Sequence, residues 1–201
     1  MRRVLITGFG PFPGMRNNPS AGFTRAMARA PFGPSSIAVD AHVFAVTYAA
    51  VDHDLPRLLR KLRPNLIVML GVASRAATIR VEARARNRSR LTCPDAERRP
   101  PRAAISTPQR PSHRTKSIAP GKLVAHLRHA GCDARVSRDA GAYLCNYLYW
   151  RALETDATRS GNMQAIFIHI PPRLSPCSTA GRRFLLALRM IVTANVRARR
   201  R

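Results

Sequence analysis

Three ionisable residues in this sequence have the types and settings from which an activated thiol is built: Cys145, His169 and Glu82. Cys145 falls in the first turn of an expected helix announced by Asp139-Ala140-Gly141. A helix N-terminus stabilises a thiolate and so favours a nucleophile. Taken alone, Cys145 also reads as a small core residue, the commonest fate of a free cysteine. His169 closes the apolar run Ala165-Ile166-Phe167-Ile168. In open α/β sheets ligands bind beyond the carboxyl ends of strands, although a histidine there can equally do no more than bond a backbone carbonyl. Glu82 is one of three glutamates, with Glu97 and Glu154. A carboxylate can hold a histidine in the tautomer that accepts a thiol proton. Arg80, Arg84 and Arg86 stand close by, so an ion-paired surface glutamate is the plainer alternative, and spacing alone does not choose.

The stretch Gly8-Phe9-Gly10-Pro11-Phe12-Pro13-Gly14 has the look of a dinucleotide loop. It lacks the third glycine at the required spacing, and its prolines remove amide donors that a pyrophosphate needs. What is left is a stiff loop presenting Phe9 and Phe12 after the first strand, either as core or as an apolar pocket for a small flat substrate. The four cysteines, at 93, 132, 145 and 177, contain no C-x-x-C pair. Neither a zinc cluster nor a disulfide framework is expected, and free thiols in a reducing compartment fit best.

The elements that must position these groups alternate. Arg3 to Thr7, residues 37 to 47, Asn65 to Leu70 and Ala165 to His169 read as strands, with a short one around Ala134 to Val136. Helices are expected from Ser20, as N-cap, to Ala30, where Pro31 stops it. Further helices are expected over residues 50 to 62, Gly121 to His129, Gly141 to Leu153 and Arg182 to Val196. Continuous apolar strands separated by helices predict an α/β fold with a parallel sheet covered on both faces. Glu82 is placed just beyond a strand and a turn at Leu70-Gly71-Val72. From Arg84 to about Ser117 neither period persists, and the segment, rich in Arg, Pro and Ser, reads as a long excursion within one domain spanning 1–201.

Composition narrows the function. Lys and Arg number 35 against 10 Asp and Glu, a formal charge of +25, and Lys occurs only at 61, 116 and 122. Such charge invites a nucleic-acid reading, but the arginines run from Arg2 to Arg201 without interleaved aromatic residues, and no zinc-finger or RNA-recognition pattern is present. Weak, salt-sensitive adhesion to polyanions is what charge alone predicts. The apolar run after Met1-Arg2-Arg3 is broken by Gly8, Gly10 and Pro11, too early for a signal-peptide core, and no stretch approaches a membrane span. A cytoplasmic location is expected.

Four ordered motifs then carry a resemblance. The opening VLITGFGPFPG with Asn18-Pro19, the stretch Ile79-Arg80-Val81-Glu82 with Asn87, the run Asp139 to Tyr147, and Phe167-Ile168-His169-Ile170-Pro171 together resemble the pyroglutamyl peptidases, family C15 of the cysteine peptidases. The resemblance covers roughly residues 3 to 172. It implies a three-layer α/β/α sandwich and a cysteine omega-peptidase acting on peptides with an N-terminal pyroglutamyl residue. By the same resemblance Cys145 would be the nucleophile, His169 the base and Glu82 its orienting acid. Phe9, Phe12 and Tyr143 would line the lactam pocket. No metal or organic cofactor is implied, and homo-oligomers are common in the family.

This sequence departs from the family at several points. Ala83 stands where members usually have Arg, the basic residue being displaced to Arg84. Ten residues after the acid, Thr92 stands where an Arg is usual, with Arg90 as a possible substitute. If that Arg stabilises the oxyanion, its loss would lower turnover by about a hundredfold. Val72 takes a position at which some members have a polar residue. These departures leave two alternatives to the peptidase: a related cysteine amidase with another small substrate, and a degenerate member acting as a basic binding protein.

Overall fold

In the computed structural model of the chain, the described residues are 2–29, 32, 37–101, 105–106, 119–159 and 163–197. Within them, β1 (Arg2–Phe9), β2 (Ile37–Phe44), β3 (Leu66–Val72), β4 (Ile79–Glu82), β5 (Ala134–Ser137) and β6 (Gln164–Ile170) form one sheet. The strand order is β2-β1-β3-β6-β4-β5. β1, β2, β3 and β6 are parallel, whereas β4 is antiparallel to β6 and parallel to β5. The reversal follows from chain length. Residues 73–78 alone separate β3 from β4, and a parallel return needs a crossover of a dozen or more residues.

The helices are α1 (Pro19–Arg29), α2 (Tyr48–Leu62), α3 (Pro120–His129), α4 (Leu144–Arg159) and α5 (Thr179–Arg197). Alternate side chains of the strands enter two separate cores. Val4, Ile6, Leu66, Val68, Leu70, Ile166 and Ile168 pack with α1, α3 and α5. Leu5, Phe9, Ile67, Met69, Ala165 and Phe167 pack with α2 and α4. This is the expected three-layer α/β/α sandwich with a mostly parallel sheet. Both faces of the central strands are covered, so β3 and β6 are apolar without alternation.

Boundaries differ from expectation in ways that touch the site. Leu70-Gly71-Val72 is not a turn but the end of β3, paired with Ile168, His169 and Ile170 of β6. Ile79–Glu82, read only as a motif, is a strand of its own. Helix α1 begins at Pro19, and Ser20 is not its cap: Asn18 Oδ1 accepts the Ser20 amide, while Ser20 Oγ accepts the amide of Phe9. Ala30, Pro31 and residues 102–104 and 107–117 of the excursion lie outside the described residues. Thr47 does cap α2, its hydroxyl accepting the Ala50 amide at 3.1 Å. No helix among the described residues is long and apolar enough to cross a membrane.

The core beneath α1 and α5 is joined by Phe184 on Phe23, edge to face at 5.2 Å, both fully buried. Phe184→Ala is expected to lower unfolding free energy by roughly 3–5 kcal/mol. A denaturant midpoint shifted with an unchanged slope would report it.

Candidate active site

The site gathers on the α2/α4 face of the sheet, where β1, β3 and β6 end. His169 continues the side-chain row of Ala165 and Phe167 on β6, a register that aims its ring toward α4 rather than into the other core. β4 runs the opposite way, so Glu82 pairs with Phe167 and Arg80 with His169. Glu82 is therefore the diagonal neighbour of His169, within side-chain reach. His169 Nδ1–H donates to Glu82 Oε1 at 2.8 Å. The direction follows from the carboxylate, which can only accept when ionised. Both partners are buried, Glu82 at 1% exposure and His169 at 6%.

Cys145 is the second residue of α4 and half-buried, and its thiol lies within hydrogen-bonding reach of His169. Its position depends on Gly71. A Cβ built on Gly71 would stand 2.8 Å from Cys145 Sγ and 2.9 Å from the ring of Phe167. Only a glycine leaves the thiol room above the end of β3. Gly71 is also the cross-strand partner of His169, so this one position admits Sγ to the side of the imidazole.

Electrostatics join the three groups. Burial on its own would push the His169 pKa down. The charge and hydrogen bond of Cys145, and then those of Glu82, outweigh it and raise the pKa to about 9. His169 therefore carries its proton at neutral pH. Glu82 Oε2 is buried without a hydrogen-bond partner among the described residues, which leaves the imidazolium as the main compensation for that carboxylate. Phe167 packs against the imidazole, ring centroids 4.9 Å apart, and Tyr149 O–H donates to the Glu82 carbonyl at 3.3 Å.

The aromatic candidates belong to the same packed layer. Phe9 is buried against Phe44, with centroids 6.1 Å apart, and Phe12 is partly buried on the same core. Tyr143 is half-buried, faces Tyr48 edge-on at 6.2 Å and donates its hydroxyl to the Pro94 carbonyl. Beside it opens a cavity of about 510 Å³ lined by Arg88, Ser89, Arg90, Cys93, Gly141, Ala142 and Tyr143. This cavity flanks the start of α4 and does not enclose Cys145 itself. Thr92 is exposed, while Arg90 lines the cavity. The displaced Arg84 donates to the Arg138 carbonyl.

Asn146, unremarked in the sequence beyond its place in a motif, is a structural key. Its buried carboxamide donates to the carbonyls of Arg86 and Arg88, at 2.8 and 3.0 Å, and accepts the Arg86 amide at 2.8 Å. Together with the bond from the Arg90 amide to the Ala142 carbonyl at 2.8 Å, it clamps the loop after β4 onto the start of α4 and the residues that lead into it. The adjacency Cys145-Asn146 was the available signal, since consecutive residues of a helix face different directions. Gly71 had no signal before its neighbours were placed. Groups of His, Cys, Asp and Glu with metal-binding geometry are absent among the described residues.

Comparison with known proteins gives one answer throughout. A family model described as pyroglutamyl peptidase matches residues 2–197. The pyrrolidone-carboxylate peptidase of Thermococcus onnurineus is 34% identical over 169 residues, 84% of this chain and 83% of that protein. That of Streptomyces coelicolor is 31% identical over 199 residues, covering 93% and 91%. Among solved structures, the pyrrolidone carboxyl peptidase from Thermococcus litoralis superposes with a TM-score of 0.87 at 26% identity, covering 98% of this chain and 94% of that one. Pyroglutamyl peptidase I of Bacillus amyloliquefaciens does so with a TM-score of 0.82 at 25% identity, covering 98% and 97%.

Because a Cβ at position 71 must displace Sγ from the imidazole, Gly71→Ala is expected to slow alkylation of Cys145 near neutral pH by about a hundredfold, the order that ~1 Å of misplacement costs. The exposed Cys177 serves as internal reference, and its rate should not change.

Proposed function

This chain belongs to the pyroglutamyl peptidase family, and on that footing we propose that it hydrolyses the amide bond after an N-terminal pyroglutamyl residue with Cys145 as nucleophile. The single observation that carries the assignment of roles is the arrangement around His169: Glu82 at 2.8 Å on Nδ1 and the Cys145 thiol within hydrogen-bonding reach.

The chemistry follows from that arrangement. Cys145 Sγ attacks the pyroglutamyl carbonyl carbon, and a C–S bond forms as the carbonyl π electrons move to oxygen. Backbone amides at the start of α4 are the natural donors to that oxyanion, being unpaired within the helix. Collapse expels the amine of the following residue, which takes the proton held by His169. Water, deprotonated by His169, then cleaves the thioester and releases pyroglutamate. Glu82 acts through His169 as a positioning residue. It fixes the ring by Nδ1 and stabilises its charged form.

Phe9, Phe12 and Tyr143 we assign to the pocket for the lactam. The assignment rests on their place in one aromatic layer beside the nucleophile and on the family's use of these positions. A flat, uncharged ring suits an apolar slot. Membership over residues 2–197 favours the peptidase over a binding protein that merely keeps the fold.

The test is hydrolysis of a chromogenic pyroglutamyl amide. Cys145→Ser is expected to lose at least about a thousandfold in kcat/KM, the order lost with an activated nucleophile. The pH profile tests the roles further. His169 must be protonated to serve the leaving amine, and its pKa is raised to about 9, so kcat/KM should fall as pH rises through about 9. Glu82 raises that pKa, so in Glu82→Gln the alkaline limb should move to lower pH and kcat should drop. No hydrolysis by the folded wild-type protein would overturn the reading. An alkaline limb unmoved in Glu82→Gln would remove Glu82 from it.

A further inference from the structure

The cavity beside Tyr143 is walled by two arginines that form no ion pair among the described residues. Every carboxylate in the vicinity is committed elsewhere. Asp139 lies 3.7 Å from Arg86, and Glu97 3.4 Å from Arg99. Asp95 accepts the amides of Tyr48, Glu97 and Arg99. Arg84 and Arg86 spend their guanidinium groups on the Arg138 carbonyl. Arg88 and Arg90 have no ion pair and no side-chain hydrogen bond among the described residues, and both are exposed at the rim.

Their placement is nonetheless fixed. The Arg88 carbonyl is held by Asn146, in the first turn of α4, and the Arg90 amide by Ala142, just before that helix, so both side chains spring from backbone bonded beside Cys145. Tyr143 connects the cavity to the reacting centre. It is two residues from Cys145, and burial first, then Asp95, Cys93 and Cys145, push its hydroxyl pKa up. The ring thus lies within electrostatic range of both the nucleophile and the cavity wall. A peptide whose pyroglutamyl group is held at Cys145 must lay its leaving portion over the neighbouring surface. Here that surface is concave, of ligand size at about 510 Å³, and positively charged.

We propose that the Arg88–Arg90 cleft receives a carboxylate of the leaving peptide, making this a pyroglutamyl peptidase that prefers peptides with an acid directly after, or a chain terminus close to, the cleaved bond. The inference rests on the function proposed above and adds the substrate class. The acid can be an Asp or Glu side chain or the peptide's own C-terminal carboxylate. Both offer an anion that Arg binds through paired N–H donors.

The experiment compares kcat/KM for four substrates that share the pyroglutamyl group: pyroglutamyl-alanine amide, pyroglutamyl-glutamate amide, pyroglutamyl-alanine with a free carboxylate, and pyroglutamyl-lysine amide. At low salt at least one of the two acids should exceed the neutral amide by about threefold to tenfold, as expected of two exposed ion pairs. The lysine amide should fall below the neutral amide. Whichever acid leads identifies the source of the carboxylate. In the double variant Arg88→Gln, Arg90→Gln the acid-to-neutral ratio should return to about one. A second double variant, Arg25→Gln, Arg29→Gln on α1 across the sheet, should keep the wild-type ratio. Equal rates for acid and neutral substrates would overturn the inference while leaving the peptidase standing. So would a preference lost equally in both double variants, since that would assign it to the overall charge of the chain. Absence of turnover for all four would overturn the proposed function and this inference with it.

Discussion

A carboxylate at the bottom of an apolar layer is tolerated here through one hydrogen bond. Glu82 is 1% exposed, and among the described residues only its Oε1 is partnered, by His169. An ionised carboxylate so placed is costly unless a cation answers it, and the imidazolium, with its pKa near 9, is that cation. The dependence is mutual, because burial alone would strip His169 of its proton. The rest of the site is arranged so that this pair can exist. Antiparallel β4 sets Glu82 diagonal to His169. Phe167 and Tyr149 close the layer around them, and Gly71 leaves a gap through which Sγ reaches the ring.

A second constraint is the shortage of acid. With a formal charge of +25, the chain cannot satisfy its arginines by ion pairing, and several cap backbone carbonyls instead. Arg84 and Arg86 hold the Arg138 carbonyl, and Arg128 holds that of Ala134. Around the start of α4 this leaves a graded surface. Arginines near the sheet are bonded to backbone, while those at the cavity rim face solvent with their charge intact. Polyanion adhesion, the expectation from charge alone, and the proposed recognition of an acidic substrate would draw on that surplus differently. Adhesion needs only net charge, which salt screens, whereas recognition needs two guanidinium groups held by bonded backbone beside the reacting centre.

Much of this was legible in the residues. Uninterrupted apolar strands alternating with helices specify a sheet buried on both faces, and the apolar run ending at His169 placed that residue at a strand's carboxyl end. Cys145 was readable as a helix-start thiol. Its choice as nucleophile over Cys93, Cys132 and Cys177 came from ordered motifs rather than from periodicity. The strand Ile79–Glu82 was missed because its apolar-charged alternation runs for only four residues, too short to establish a period, and its charged side chains lie on the site's face rather than on a solvated one. The caps differed for a related reason: the Ser20 hydroxyl is taken by Phe9 across the chain, a partner that local sequence does not contain.

The sequence by itself determined what chemistry its candidate groups are capable of, because residue type fixes what a thiol, an imidazole and a carboxylate can do, and its ordered motifs singled out which of them to consider. It also determined the layered class, because apolar patterning fixes which faces are buried. Only the tertiary structure decided that these groups meet. The short link from β3 to β4 reverses the strand, and β6 enters between them from far along the chain. The 2.8 Å bond from His169 to Glu82 joins residues 87 positions apart. The clearance above Gly71, the clamp by Asn146 and the unpaired charge of Arg88 and Arg90 are likewise relations between distant segments. Distance and desolvation set their strength, and both exist only once the sheet has formed.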